Sequence, residues 1–180
     1  MHERTLIIGC SGSGKSWLAT KLSNITKQPV VHLDQLYWLE NWQKQDRVVF
    51  IEKLETELTK NSWIIDGNFD STLERRLKYA DFVIFLDFNR FQTLSGAITR
   101  AMKYYKRTRP DMTEGCNEKI DFEFLKYIWD YPKTTRQKTV DLLSKLKIDS
   151  ITFTNRKQMA DWLENMEVRY GRMVHSSKTR

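Results

Sequence analysis

Short apolar runs alternate along the chain with segments in which apolar residues recur at helical spacing. Five runs predict buried strands: TLIIG (5–9), PVVHLD (29–34), WIID (63–66), FVIFLD (82–87) and ITFT (151–154). The spacing between them predicts helices at 15–24, 46–60, 71–79, 91–105 and 156–166. Apolar strands separated by helices are typical of a parallel sheet covered on both faces, so we expect a three-layer α/β fold.

The stretch between the fourth and fifth predicted strands breaks this alternation. Residues 106–120 contain a proline, a glycine and several charges without a clear period. The helical pattern over 118–147 contains Pro132, which should break or kink the helix near Tyr131. Because the excursion is too long for a simple crossover, we expect a helical lid at about 103–147.

Length and composition indicate one soluble domain, 1–166, followed by a basic tail, 167–180, whose composition favours a flexible end. The apolar runs are too short to cross a membrane, and the first strand starts too early for a secretory signal. Neither the two cysteines nor the three histidines have metal-ligand spacing, so we expect a reduced, cytoplasmic protein. The net charge of +7 suits a polyanion, either a nucleotide or a nucleic acid.

The segment GCSGSGKS follows the first strand and opens a helix, with the spacing of a phosphate-binding loop. Glycines allow positive φ angles, so that consecutive N–H groups can surround a phosphate. We expect this loop to bind ATP through Gly9, Cys10, Ser11, Gly12, Ser13, Gly14, Lys15 and Ser16. Lys15 would bridge the β- and γ-phosphates as a catalytic residue, and Ser16 would ligate Mg²⁺.

Three predicted strands end in aspartate, at Asp34, Asp66 and Asp87. Ligands of open α/β sheets bind at this carboxyl edge, and Mg²⁺ needs a carboxylate, usually through water. We favour Asp66 as the metal carboxylate, because Gly67 lets the backbone turn tightly beside a ligand. For Asp87 the alternatives are a helix cap and an ion pair with Arg90.

Asp34 and the aromatic residues after it are candidates for the phosphate acceptor site. A positioned aspartate can hold or deprotonate an acceptor hydroxyl in phosphoryl transfer, and capping of the next helical turn is the alternative for Asp34. Trp38, with Tyr37 and Trp42 beside it, could stack on a nucleobase or pack in the core.

Basic residues supply candidates for charge stabilisation. Arg107 and Arg109 flank Thr108 in the predicted lid and would stabilise the migrating phosphoryl group as catalytic residues; a solvated basic face is the alternative. Arg76 follows Asp66 on a predicted helix and could grip an acidic group of the acceptor, or be a surface residue.

A resemblance to a known family is carried, in chain order, by MHERTLIIGCSGSGKSWLATKL, VVHLDQLYW, SWIIDGNFDSTLERRLKYADFVIFLDFNR and RTRPDMTEGCNEKIDFEFLKYIWDYP. Over about residues 4–165 the chain resembles the bacterial DNA topology modulation proteins of the FlaR type, which belong with adenylate-kinase-like P-loop kinases. The resemblance implies a P-loop NTPase fold with a five-stranded parallel sheet in the order 2-3-1-4-5. That order places Asp66 beside the phosphate-binding loop.

The resemblance also implies site residues. Asn155 and Arg156, after the fifth strand, would contact the nucleotide, as would Thr108 in the lid. Nucleoside monophosphate kinases usually carry an arginine soon after the third-strand Asp-Gly, where this chain has Asn68. Asn68 and Arg76 are therefore acceptor-site candidates, without the usual grip on a monophosphate.

These features favour an ATP- and Mg²⁺-dependent kinase whose acceptor is a nucleoside, a nucleotide or a hydroxyl metabolite. The alternative is a nucleotide-dependent regulator that binds DNA or a protein and has little kinase activity. A motor-like ATPase is less favoured, because the chain has little room for a coupled partner domain. The sequence contains no recognisable DNA-binding motif, so the family name is interpreted as an effect in the cell.

Overall fold

A parallel sheet of five strands forms the centre of the computed structural model, which describes residues 2–119 and 121–177, with side chains as far as residue 171. The strands and helices are, in chain order, β1 (Arg4–Gly9), α1 (Lys15–Thr26), β2 (Val30–His32), α2 (Leu33–Tyr37), β3 (Trp38–Leu39), β4 (Gln43–Lys44), α3 (Arg47–Leu58), β5 (Trp63–Asp66), α4 (Asp70–Leu77), β6 (Phe82–Leu86), α5 (Arg90–Lys103), α6 (Phe122–Thr134), α7 (Arg136–Leu146), β7 (Ser150–Phe153) and α8 (Arg156–Ser177). The sheet order is β2-β5-β1-β6-β7, with every neighbouring pair parallel. The predicted α/β fold and the predicted order of its five strands are confirmed.

Both faces of the sheet are buried. Along β1, Leu6 and Ile8 contribute to one hydrophobic cluster and Ile7 to the other, which follows the two-residue alternation of a strand. Residues of α3 and α4 complete the first cluster, and residues of α1 and α8 complete the second. Since the faces are covered, the carboxyl edge of the sheet is the place left for ligands.

The strand register brings the predicted site segments together at that edge. Ile7 of β1 pairs with Asp66 of β5, and Asp66 pairs with His32 of β2. The glycine loop therefore begins two residues beyond a direct neighbour of Asp66, and α2 with Asp34 begins on the other side.

The predicted lid contains two helices and an irregular segment. The segment between α5 and α6, residues 104–119, is called the crossover segment below. It docks on the β3–β4 hairpin: Thr113 Oγ1 donates to the Trp38 carbonyl at 2.6 Å, and Trp42 Nε1 donates to the Asn117 carbonyl at 2.9 Å. The hairpin was not predicted, and it gives the crossover segment a surface on which to rest.

Two helix boundaries differ from the sequence prediction. The helix containing Pro132 does not break near Tyr131 but continues to Thr134, and α7 begins anew at Arg136. Proline lacks the N–H that would bond to the carbonyl four residues before it, so Pro132 costs α6 one hydrogen bond, and the helix ends two residues later. The closing helix runs to Ser177 rather than 166, so part of the predicted tail is helical; residues 178–180 lie outside the described residues.

Among the described helices, none combines the length and the apolar character needed to cross a membrane.

Candidate active site

The loop between β1 and α1 follows a path that its glycines permit. Gly9, Gly12 and Gly14 have φ angles of 142°, 81° and 97°, in the region that glycine adopts without steric cost. A Cβ atom on Gly12 would lie 2.1 Å from the Thr93 carbonyl oxygen, and one on Gly96 would lie 2.1 Å from the Gly12 carbonyl oxygen. The loop is thus pressed against α5 with no room for side chains at the contact.

The amino end of α1 opens into a cavity of about 1360 Å³. No side chain caps this helix, whose N-cap is Gly14, and a Cβ atom there would meet nothing within 4 Å. The first N–H groups of a helix lack partners within the helix, and together they attract anions. The loop and the uncapped helix therefore fit the phosphate groups of a nucleotide.

Lys15 extends back across the loop. Its Nζ donates to the Cys10 carbonyl at 3.0 Å. Burial lowers the pKa of Lys15, and the charges of Asp66 and Asp34 oppose that shift. Burial also raises the pKa of the Cys10 thiol to about 11, against the effect of Lys15, so this cysteine stays protonated. An anion beside the ammonium group would favour its charged form.

Asp66 connects the glycine loop to β2. Ser16 Oγ donates to Asp66 Oδ2 at 2.7 Å, and the other oxygen, Oδ1, contacts His32 Nδ1. Burial by itself would lower the pKa of His32, but the hydrogen bond and charge of Asp66 outweigh it and raise that pKa. A hydroxyl and a carboxylate are oxygen ligands that suit Mg²⁺, so the pair fits this metal. His32 was not predicted; its only signal is its place at the strand end, two residues before Asp34.

Asp87 is engaged elsewhere. Its two carboxylate oxygens accept from Nε and Nη2 of Arg136, both at 2.6 Å. The alternative of an ion pair with Arg90 is not what the structure shows, since Arg90 lies over the Trp129 ring at 4.6 Å. Asp87 is absent from the cavity lining, whereas Asp66 is part of it.

Asp34 lies in the first turn of α2 and lines the cavity. Among the described residues none donates a hydrogen bond to its carboxylate, and it does not cap the helix, so the capping alternative is not observed. Burial raises the pKa of Asp34; the charge of Arg109 lowers it, and that of Asp66 raises it further. This carboxylate has the position and the free acceptor atoms to bind a hydroxyl group.

The two predicted lid arginines differ in their surroundings. Arg109 is buried at the cavity wall, with Nε 2.6 Å from Glu118 Oε2 and Nη1 donating to Asp111 Oδ2 at 2.8 Å. Arg100 Nη2 also donates to Glu118, at 3.4 Å. Arg107 is exposed and does not line the cavity. Glu118 and Asp111 were not predicted as site residues, because they lie in a segment whose sequence has no regular period.

Arg76 does not reach the cavity, which corrects its prediction as an acceptor contact. Its side chain is fully buried, and its guanidinium donates to the carbonyls of Gly67, Asn68 and Phe69 at 3.0–3.1 Å. Nε donates to Thr72 Oγ1 at 3.1 Å, and burial lowers the pKa of Arg76 to about 9. Arg76 supports the turn after Asp66.

Aromatic and amide side chains predicted as acceptor contacts line the cavity. Trp38 and Trp42 both contribute, with ring centroids 5.5 Å apart in an edge-to-face arrangement. Tyr37 does not line the cavity; its ring packs edge-to-face against both Trp38 and Phe50. Asn68 lines the cavity, and its Nδ2 donates to the hydroxyl of Tyr127 at 2.9 Å.

The remaining predicted nucleotide contacts separate into two groups. The residues of the loop and its surroundings that line the cavity are Ser11, Gly12, Gly14, Lys15, Ser16 and Arg156. Arg156 Nη2 donates to the Gln92 carbonyl at 2.9 Å, beside the loop. Gly9, Cys10 and Ser13 do not line the cavity. Thr108 donates to Asn117 and Asn155 caps α8, so neither faces the cavity in this structure.

Sequence comparison gives one partial relative. No family model matches the chain. Over 90 residues the chain is 36% identical to the uncharacterized protein YqaC of Bacillus subtilis (strain 168), covering 48% of this chain and 49% of YqaC. The chain thus spans about half the length of the curated relative it matches.

Solved structures give similarity over nearly the whole chain. A shikimate kinase from Bacteroides thetaiotaomicron has a TM-score of 0.57 at 14% identity, covering 93% of this chain and 97% of that one. A gluconokinase from Sinorhizobium meliloti 1021 has a TM-score of 0.51 at 13% identity, covering 98% and 96%. A deoxyadenosine kinase from M. mycoides, solved with bound dATP, has a TM-score of 0.52 at 13% identity, covering 90% and 97%. At these identities the likeness concerns the fold alone, and the chain has the fold of the P-loop kinases.

Proposed function

We propose that the protein transfers the γ-phosphate of ATP to a hydroxyl group of a small acceptor. The observation that carries this proposal is the shared cavity: the glycine loop and the carboxylate of Asp34, which accepts no hydrogen bond within the described part of the chain, line the same space of about 1360 Å³. Sites for one small ligand usually enclose about 300–1000 Å³, so this cavity has room for a nucleotide and an acceptor together.

The cavity residues divide the work of such a transfer. The loop N–H groups and Lys15 hold the phosphates, and Asp34 accepts a hydrogen bond from the acceptor hydroxyl. The hydroxyl oxygen forms a bond to the γ-phosphorus, the bond from that phosphorus to the bridging oxygen breaks, and ADP leaves. The hydroxyl proton passes to Asp34. Mg²⁺, held through Ser16 and Asp66, would supply charge neutralisation at the phosphates.

The kinase fold agrees with this proposal without naming an acceptor. The neighbours are kinases of shikimate, gluconate and deoxyadenosine by their names, which differ in charge and shape. The FlaR-type resemblance is compatible with a kinase, although no family model supports that name. The regulator alternative rests on the net charge of +7, and the described residues provide no further observation in its favour.

A transfer screen tests the proposal. The protein is incubated with γ-labelled ATP, Mg²⁺ and panels of nucleosides, nucleoside monophosphates, sugars and hydroxy acids, and labelled products are separated. We expect one panel to give a product that requires Lys15. If Lys15→Ala makes as much product as the unaltered protein, the phosphate-loop assignment is wrong.

A further inference from the structure

The arginines of one part of the cavity lining are paired with carboxylates. This part, called the acceptor wall below, consists of Trp38, Trp42, Arg100, Arg109, Asp111 and Glu118. Arg109 contacts Glu118 at 2.6 Å and Asp111 at 2.8 Å. Arg100 contacts Glu118 at 3.4 Å. Both Arg109 and Glu118 are buried, so these pairs are screened little by water and salt. Neither arginine therefore offers an unbalanced charge to an anionic ligand.

Arg76, a third arginine in this region, does not reach the cavity. Arg76 uses its guanidinium on three backbone carbonyls and on Thr72, and it is fully buried. Arg76 holds the turn that carries Asn68. The amide of Asn68, and not the guanidinium of Arg76, lines the cavity. An acceptor in this region meets an uncharged amide where a guanidinium could have been.

The charges that act on Asp34 leave an excess of carboxylates at the expected hydroxyl position. Besides Asp34 itself they are two carboxylates, Asp66 and Asp111, and two cations, Arg109 and Lys15. Asp34 receives no hydrogen bond from the described residues. Burial raises its pKa; the charges of Arg109 and Lys15 lower that pKa, and those of Asp66 and Asp111 raise it further. A phosphate or carboxylate placed here would add a further negative charge to this excess of carboxylates, and like charges in a partly buried site repel one another strongly. The other lysines that line the cavity are all exposed to solvent, which weakens their interaction with a ligand: Lys21, Lys44, Lys103 and Lys119.

The indole rings give this wall a flat apolar surface. Asn41 and Trp42 have φ angles of 58° and 61°, an uncommon conformation for residues other than glycine. The Trp42 indole is fixed by its hydrogen bond to the Asn117 carbonyl. Strained backbone that holds a cavity side chain in place is a frequent property of ligand sites.

We propose that the acceptor is an uncharged hydroxyl compound with a flat ring, of the nucleoside class, rather than a monophosphate or a carboxylic acid. Its hydroxyl binds Asp34, and its ring lies against Trp38 and Trp42. The balanced pairs made by Glu118 exclude anionic acceptors. This inference rests on the proposed kinase function and narrows its acceptor.

The first test uses the unaltered protein. Rates of labelled transfer are compared for matched pairs: each nucleoside with its 5′-monophosphate, and each sugar alcohol with its carboxylic acid. We expect kcat/KM to favour the uncharged member by at least about 100-fold. Preference for the charged members would overturn this inference and leave the kinase function standing. Absence of transfer to every compound would overturn the kinase function and the inference with it.

The second test changes the charge balance. Glu118→Gln keeps the size of the side chain but releases the charges of Arg109 and Arg100. We expect the preference for uncharged acceptors to fall by about tenfold, a change of selectivity that simple loss of activity would not produce. Asp111→Asn tests the same point if Glu118→Gln does not fold. Asp161→Asn, an exposed carboxylate paired with Lys157 on α8, is the matched control.

A selectivity unchanged in both folded variants would contradict a role for the paired carboxylates. Lys44→Ala tests one of the exposed lysines of the cavity. If the protein uses monophosphates and this change abolishes that use, the inference is wrong. Trp42→Ala should raise the KM of a ring-bearing acceptor about tenfold or more while leaving the KM for ATP unchanged. If the KM of the acceptor is unaltered in Trp42→Ala, the proposal that the acceptor contains a flat ring is wrong.

Discussion

Ser16 Oγ donates a hydrogen bond of 2.7 Å to Asp66 Oδ2, which joins the first turn of α1 to the end of β5. The bond holds a hydroxyl and a carboxylate side by side at the edge of the cavity. Because both are oxygen ligands, we expect the metal requirement of the protein to depend on this pair.

The Mg²⁺ requirement distinguishes Asp66 from Asp87. Asp66→Asn should raise the Mg²⁺ concentration for half-maximal transfer about tenfold or more, because the hydroxyl loses its charged partner. Asp87→Asn should leave that concentration unchanged, since Asp87 pairs with Arg136 outside the cavity. Titration of transfer with Mg²⁺ measures both, and the reverse ranking would exchange the two assignments.

Lys15→Ala should abolish ATP-dependent transfer without unfolding the protein. The ammonium group of Lys15 supplies a positive charge within the loop itself. It donates a hydrogen bond to the Cys10 carbonyl and is attracted by the charges of nearby carboxylates. We expect turnover to fall by roughly 100-fold or more, as for other charge-stabilising groups in phosphoryl transfer. Circular dichroism confirms the fold, and the exposed Lys157→Ala serves as the control that retains activity.

Asp34→Asn should lose turnover and gain stability at neutral pH. The folded-state pKa of Asp34 lies above its ordinary value because burial penalises the charged form. The stability contributed by its neutral form is therefore complete below the unfolded pKa of about 4 and is lost as pH rises through the folded pKa. Asparagine stays uncharged, so the variant should unfold at a higher temperature than the original above that window.

Two measurements check this expectation. The gain in melting temperature should shrink as the pH is lowered towards about 4, where both side chains are neutral. Turnover of the original protein should rise with pH through the raised pKa of Asp34, because the base must be ionised. The pH–rate profile of the variant should lack this rise. A variant with normal turnover would show that Asp34 is not the proton acceptor. We expect Asp34→Asn to lower turnover by roughly 100-fold or more.

Arg76→Ala should destabilise the fold rather than weaken acceptor binding. Four donor contacts to Gly67, Asn68, Phe69 and Thr72 would be lost from a fully buried position. We expect the free energy of unfolding to fall by about 3 kcal/mol, the scale for losing hydrogen bonds from a buried charged group. The neighbouring Arg75→Ala should change it little. Denaturant titration measures both, and a raised acceptor KM with unchanged stability would restore the original prediction.

Arg109 and Arg107 should differ in their effect on transfer. Arg109→Ala removes a buried guanidinium from the cavity wall and leaves Glu118 without its closest cation. We expect kcat/KM to fall by about 10- to 100-fold, with melting temperature recorded to separate folding from function. Arg107→Ala, at an exposed position outside the cavity, should change kcat/KM less than about threefold. Equal losses of kcat/KM in the two variants would indicate that the crossover segment rearranges during turnover and brings Arg107 into the cavity.

The sequence specified the sheet and the loop well, because their signals are local. The run before Gly9 and the spacing to Ser16 are enough to predict strand, loop and helix. The partner of Asp87 could not be predicted in this way. Arg136 lies 49 positions away along the chain, and no pattern of apolar residues records which ion pair forms across that separation.

Arg76 shows a second limit. From the sequence it is a cation on a helix next to a ligand site, and nothing in its neighbours tells whether the side chain points to the cavity or beneath the turn. Its direction depends on three carbonyl groups that the turn after Asp66 presents only once it is folded. Glu118 and Asp111 were missed for a different reason. Both pair with Arg109 of the same crossover segment, and a segment without a regular period gives no sign of how it folds.

The crossover segment rests on the hairpin through main-chain oxygens. Thr113 donates to the Trp38 carbonyl, Cys116 to that of Leu39, and Trp42 to that of Asn117. Any residue supplies a carbonyl, so the side chain of Trp38 can be exchanged without undoing the joint. This part of the cavity lining can therefore diversify by substitution while its framework stays unchanged. If the proposed function holds, Trp38 is the position at which to begin changing the choice of acceptor.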